Sequence, residues 1–172
     1  MRLNVMLVLG AILATGTADA MATTLPDSCG NDKVKFKVTQ RDNAPALDTA
    51  GPGKAQVVLI ETLDPVSKCI GCEITGRIGL DGAWVGANKG SSYFAFSVEP
   101  GSHNLCANWQ SKLETLKSKV AMASLNAEAG KTYYYKLNVS LTSYAFDLVP
   151  VTEEEGKYRM KLSSLSEARP SR

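Results

Sequence analysis

Cys69-Ile70-Gly71-Cys72 is the sharpest chemical signal in the chain. Two thiols at this spacing can form a redox dithiol when the first sits at a helix N-terminus, which lowers its pKa, or they can supply half of a zinc site. Here a Pro65-containing loop precedes the pair and a strand-like segment follows, with no βαβ pattern around it. The other two cysteines, Cys29 and Cys106, stand alone and do not make the second close pair of a four-cysteine zinc site. An even count therefore reads as two structural disulfides among Cys29, Cys69, Cys72 and Cys106. A thiol-redox or metal-binding protein using Cys69 and Cys72 is the alternative. Three connectivities are open, and two long-range bridges are preferred over Cys69–Cys72 with Cys29–Cys106. A bridge across two intervening residues constrains little of the unfolded chain.

The remaining reactive residue types point away from catalysis. His103 is the one histidine, so a two-histidine zinc site and a His-Glu-x-x-His helix are excluded. No Gly-x-Ser-x-Gly elbow occurs, and no acid partner for His103 is evident along the chain. His103 is expected to be a turn or strand residue. Glu153 to Glu155 are dense enough to suggest paired carboxylates, but they open a helix, where acids offset the dipole. Lys33, Lys35 and Lys37 alternate with Val34, Phe36 and Val38, which reads as the solvated face of an edge strand rather than an anion site. Trp84, Phe94, Phe96 and Trp109 read as core or cross-strand packing. The expectation is no catalytic residue, no cofactor and no metal, hence no enzyme. The leading function is a non-enzymatic binding or accessory domain whose partner is an envelope protein or a small ligand.

Charge and length narrow the setting. The 172 residues carry a formal net charge of +2, which gives no footprint for nucleic acid or for an anionic membrane surface. Arg2, the apolar run Val5 to Ala14 and the small-x-small triplet Ala18-Asp19-Ala20 follow the layout of a secretory signal peptide over 1–20. The ten-residue run is too short for a membrane span, which needs about 20 residues. Periplasmic or secreted localisation follows, with no span in the mature form, and that compartment suits disulfides.

The elements that must position these residues are short strands. Period-two or apolar runs mark strands near 33–38, 54–62, 73–80, 83–87, 93–98, 103–109, 119–127, 132–140 and 144–148. Asp81-Gly82 predicts a two-residue hairpin, and Gly76 a bulge. Residues 111–118 fit a loop or a helical turn. Thr152-Glu153-Glu154-Glu155 is a capping box for a short helix over about 152–162, weakened by Gly156, and 166–172 reads as a flexible tail. The predicted fold is all-β, a sandwich or open barrel of about eight short strands with one short C-terminal helix. In this reading 21–53 is an N-terminal segment holding the first strand and a linker, and 54–165 is the β domain.

Several motifs add a resemblance. Gly53-Lys54-Ala55 opens a strand, and Leu80-Asp81-Gly82-Ala83-Trp84-Val85-Gly86 follows. Then come Ser92-Tyr93-Phe94, Val98-Glu99-Pro100-Gly101-Ser102-His103, Ala127-Glu128-Ala129-Gly130-Lys131-Thr132-Tyr133-Tyr134 and Glu154-Glu155-Gly156. In order and spacing this series resembles the DUF2846 group of bacterial envelope domains over about residues 53–160. The resemblance implies a compact β-sandwich and an envelope location, and it carries no catalytic or binding residue. The chain departs from lipid-anchored members, because no cysteine follows the apolar run closely.

Overall fold

Alternating apolar residues give a strand two unlike faces, and the apolar faces of two sheets bury each other. The computed structural model describes residues 25–42, 47, 49–63, 74–111, 117–140 and 145–171. Among these, ten strands form two sheets, with one short helix near the C-terminus. The strands are β1 (Lys35–Arg41), β2 (Ala55–Leu63), β3 (Thr75–Leu80), β4 (Ala83–Lys89), β5 (Ser92–Val98) and β6 (Gly101–Trp109). They continue with β7 (Val120–Ala127), β8 (Thr132–Val139), β9 (Phe146–Val151) and β10 (Ser164–Ser171), and the helix α1 (Glu153–Lys161) lies between the last two. The larger sheet runs β1-β10-β5-β2-β8-β9 and the smaller β4-β3-β6-β7.

The core lies between the sheets. Val57, Leu59, Phe94, Leu137 and Val139 of the larger sheet meet Ile78, Leu105, Ala107, Trp109 and Leu125 of the smaller. Fully burying a side chain of the Val, Leu or Phe class contributes about 1.5–3 kcal/mol, so this layer dominates stability. Trp109 stacks on Phe146 at 5.8 Å between ring centres. Trp109, Phe94 and Phe96 are core residues or pack against the core, but Trp84 is not. Its ring lies outside the sandwich over the guanidinium of Arg77.

The outer face of β2 and β8 needs its own cover. Val58, Ile60, Tyr93 and Tyr134 form a second apolar cluster there, closed by Met160 of α1 and by Leu47. Gly156 has a use beyond weakening the helix. A Cβ there would stand 2.3 Å from the Tyr134 ring, so only glycine lets α1 lie flat on the sheet. Thr152 caps α1 by accepting from the Glu155 N–H. The reciprocal half of the box is replaced, because Glu155 instead takes Arg159 and Lys136.

Four expectations are corrected. The tail over 166–172 is not loose through 171, since β10 pairs antiparallel with β1 from Leu165 to Ser171. That pairing also places the first strand of the expected N-terminal segment in the β domain, because β1 is the edge of the larger sheet. The strand count among the described residues is ten, against about eight expected. The β3–β4 register shifts between Ile78 and Gly79, where Val85 of β4 is passed over, and Gly76 is needed for a different contact described below. Residues 120–127 are a strand as expected, and Asp81 and Gly82 turn the β3–β4 hairpin with φ of 49° and 89°. Residues 112–116 lie outside the described residues.

Candidate functional site

Cys29 and Cys106 form a disulfide spanning 77 positions. This overturns the preference for two bridges that each reach the 63–72 loop. With these two joined, the only intramolecular partner left to Cys69 is Cys72, and a four-cysteine zinc set cannot form. Cys69 and Cys72 lie outside the described residues. The physical reason the pairing escaped sequence reasoning is local. Gly79 has no side chain, so the Ser28–Cys29 backbone approaches within 3.0–3.1 Å of where its Cβ would be. The N-terminal segment thereby lies directly on β3, opposite Cys106 in the β3–β6 register.

Polar groups complete this strap. Arg77, only 1% exposed, donates from Nη1 to the carbonyls of Asp32 (2.9 Å) and Val34 (2.7 Å) and from Nη2 to Asn108 Oδ1. The Trp84 indole, which covers that guanidinium, donates to the Asn31 carbonyl at 2.7 Å. Gln110 binds Phe36 as a strand would, accepting from its N–H and donating to its carbonyl. The Arg77 Nε is buried without a hydrogen-bond partner, and burial lowers the guanidinium pKa, with the Asp32 charge opposing the fall.

His103 does have an acid partner, contrary to the sequence reading. Its Nδ1 lies 2.6 Å from Asp81 Oδ2, and its Nε2 lies 2.8 Å from the Glu99 carbonyl oxygen. A carbonyl only accepts and a carboxylate prefers a donor, so both ring nitrogens carry protons here. The Asp81 hydrogen bond raises the His103 pKa, assisted by the Glu99 carbonyl. The Asn104 N–H and then His103 lower that of Asp81. A triad histidine needs Nε2 free to face a hydroxyl, and here Nε2 is committed to the backbone. The arrangement braces the β3–β4 hairpin against β6.

A second buried polar group sits between the sheets. Glu61, at the far end of β2, is fully buried, and neither carboxyl oxygen reaches hydrogen-bonding geometry with a donor. Burial pushes its pKa well above the ordinary carboxyl range, and the nearby N–H groups of Gly76 and Gly90 offset the rise only in part. The carboxyl occupies the place of a missing side chain, since a Cβ on Gly76 would lie 3.0 Å from Oε2. Asn88 faces Gly76 across the β3–β4 pair, and its Oδ1 is likewise without a donor. A protonated Glu61 fits its burial without a donor. No pattern in sequence marks Glu61, which directly follows the apolar run Val57–Ile60 in β2.

The concave feature of the larger sheet lies where β5 and β10 part. They pair in parallel at only two positions, Ser164 with Ser92 and Leu165 with Tyr93. Beyond these, β10 follows β1 while β5 follows β2, and the ribbon of β1 and β10 packs over β4 of the smaller sheet. The splay opens a cleft of about 370 Å³. Ala95 and Ser97 line one side, Ser166 and Glu167 the other, and Phe94 and Phe96 reach it from the core. Leu47 and Thr49 of the preceding loop stand at its mouth with Arg41, which is ion-paired to Glu167. None of these lining residues is legible as a site in the sequence, because the cleft is a product of strand order. Among the described residues no helix is long and apolar enough to cross a membrane. No family model, no curated protein and no solved structure matches the chain.

Proposed function

We propose that this protein is an exported, DUF2846-like envelope domain that works by binding rather than by catalysis, and that its ligand enters the cleft between β5 and β10. The observation that carries the reading is the two-residue pairing of those strands, which leaves facing strand edges open beyond Leu165 and Tyr93. Open edges offer backbone donors and acceptors to an extended partner, the basis of strand-addition recognition. A volume near 370 Å³ suits a small ligand or a few residues of an envelope protein. The signal-peptide pattern and the Cys29–Cys106 bridge support a periplasmic or secreted setting, where disulfides persist.

Native mass spectrometry of the protein recovered from the exported fraction tests this. The expected result is loss of 1–20 and a retained ligand, or a peptide added in titration, that Ser97→Trp excludes. Recovery only with Met1 intact in the cytoplasm would overturn export. Binding unchanged in Ser97→Trp would overturn the cleft.

The thiol-redox reading keeps one supporting fact. The Cys29–Cys106 bridge leaves Cys69 and Cys72 as each other's only partners within the chain. That reading expects the Cys69–Cys72 thiols to exchange rapidly with a mild dithiol while Cys29–Cys106 stays closed. Two structural bridges would resist together.

A further inference from the structure

Lys35, Lys37, Thr39 and Arg41 point to the same side of β1, because Phe36 is buried and Gln40 reaches the Lys89 carbonyl of β4 on the opposite side. The β1–β10 register places Arg169 directly opposite Lys37, Glu167 opposite Thr39 and Ser171 opposite Lys35. The outer face of this ribbon thus carries four cations and one carboxylate, a net of +3, where the whole chain carries +2. The rest of the molecule is therefore net −1, and the positive charge sits on one ribbon about 20 Å long (six residues at about 3.4 Å each). Arg41 is neutralised by Glu167, but Lys35, Lys37 and Arg169 reach no carboxylate among the described residues. Like charges directly opposed across two strands repel and destabilise the pair, so Lys37 against Arg169 is a cost that a facing anion would relieve.

The layout decides what that anion is. The hollow between Lys37, Thr39, Glu167 and Arg169 holds a carboxylate, which disfavours a single anion seated in it. Nor does the outer face carry an aromatic ring on which a base could stack. Lys35, Lys37 and Arg41 instead follow one another at every second or fourth position along β1, with Arg169 beside them on β10, a spread suited to a flat array of negative charge. We propose that the outer face of the β1–β10 ribbon docks this protein reversibly on an anionic phospholipid surface. The proposal goes beyond cleft binding and does not depend on it.

Co-sedimentation with phosphatidylcholine vesicles, with and without phosphatidylglycerol, tests it. The wild-type chain binds only the phosphatidylglycerol vesicles, and added sodium chloride releases it. Each cation near an anionic leaflet is worth about fivefold in binding, so Lys37→Gln with Arg169→Gln loses about 25-fold. Lys131→Gln, in the β7–β8 turn, leaves binding unchanged. All three proteins share one N-terminus, so differences report the ribbon and not the apolar leader. Removing opposed like charges should leave the melting temperature equal or higher, which separates lost docking from lost folding. Equal binding by the wild type and the double variant would overturn the proposal. So would release by inorganic phosphate beyond that of sodium chloride at equal ionic strength, which marks a discrete phosphate site. Retention on duplex DNA without vesicle binding would also overturn it.

Discussion

Arg77 and Glu61 are both buried and both charged in water, yet the molecule treats them in opposite ways. Under the N-terminal strap, Arg77 finds two backbone carbonyls, an amide oxygen and an indole face, which offset the burial that lowers its pKa and leave only Nε without a partner. Between the sheets, Glu61 finds no well-placed donor and is driven toward its neutral form. Chain geometry explains the difference. The strap is irregular, and its carbonyls are free to turn toward a guanidinium that offers five donors. Glu61 has only the Gly76 and Gly90 N–H groups nearby, too poorly placed to offset its burial, so the neutral form is favoured. One buried group thus holds two segments together, while the other makes stability depend on pH.

The largest losses of stability are expected at the strap. Cys29→Ser should cost about 4 kcal/mol on the chain-entropy view of a 77-residue separation, read as a fall in the urea midpoint under non-reducing conditions. Little or no change would mean the strap holds without its bridge. Arg77→Ala should cost about 3 kcal/mol, because the carbonyls of Asp32 and Val34 and the Asn108 oxygen lose their donor together. Combined with Cys29→Ser, it should be less than additive, since both act on one segment.

Glu61→Gln sharpens the other half. The folded pKa of Glu61 lies above its unfolded value, so its stabilising contribution is complete below about pH 4.5 and falls as pH rises toward the folded pKa. The glutamine variant should lose that decline, and its advantage over the wild type should grow with pH in denaturant titrations. A wild-type stability curve that rises through this range in parallel with the variant would contradict a neutral Glu61.

The smallest effect belongs to His103, whose partners lie near the surface. Its pKa is raised, so its contribution is full below about pH 6.5 and is lost as pH climbs through the folded value. Asp81 runs the other way. Its pKa is lowered, so its contribution holds above about pH 3.8 and fails as pH falls through the folded value. His103→Gln should cost no more than about 1 kcal/mol at pH 5.5 and less at pH 8.5. A larger loss at the higher pH would reverse the assignment.

How much of this was legible depends on the reach of each interaction. The Asp81-Gly82 hairpin, the strand over 120–127 and the Thr152 cap are local, and turn chemistry or alternation specifies them within a few residues. The cleft and Glu61 were not, since neither shows a local pattern and both arise from strands distant in the chain. His103 lay between these cases. Its turn setting was readable, but Asp81 is 22 residues away and meets it only because β6 folds back along β3.

By itself the sequence determined an all-β chain with a short capped helix near its end, because period-two alternation and turn residues act over a few positions. Tertiary structure decided which cysteine met which, that 164–171 is a strand and that Arg169 faces Lys37. A lysine run that reads as ordinary solvation in one strand meets a fourth cation, Arg169, from the other end of the chain, set directly against Lys37 in the β1–β10 register. The physical reason is that strand order and register arise from burying two sheets against each other. That sum over the whole chain leaves no mark on any one segment.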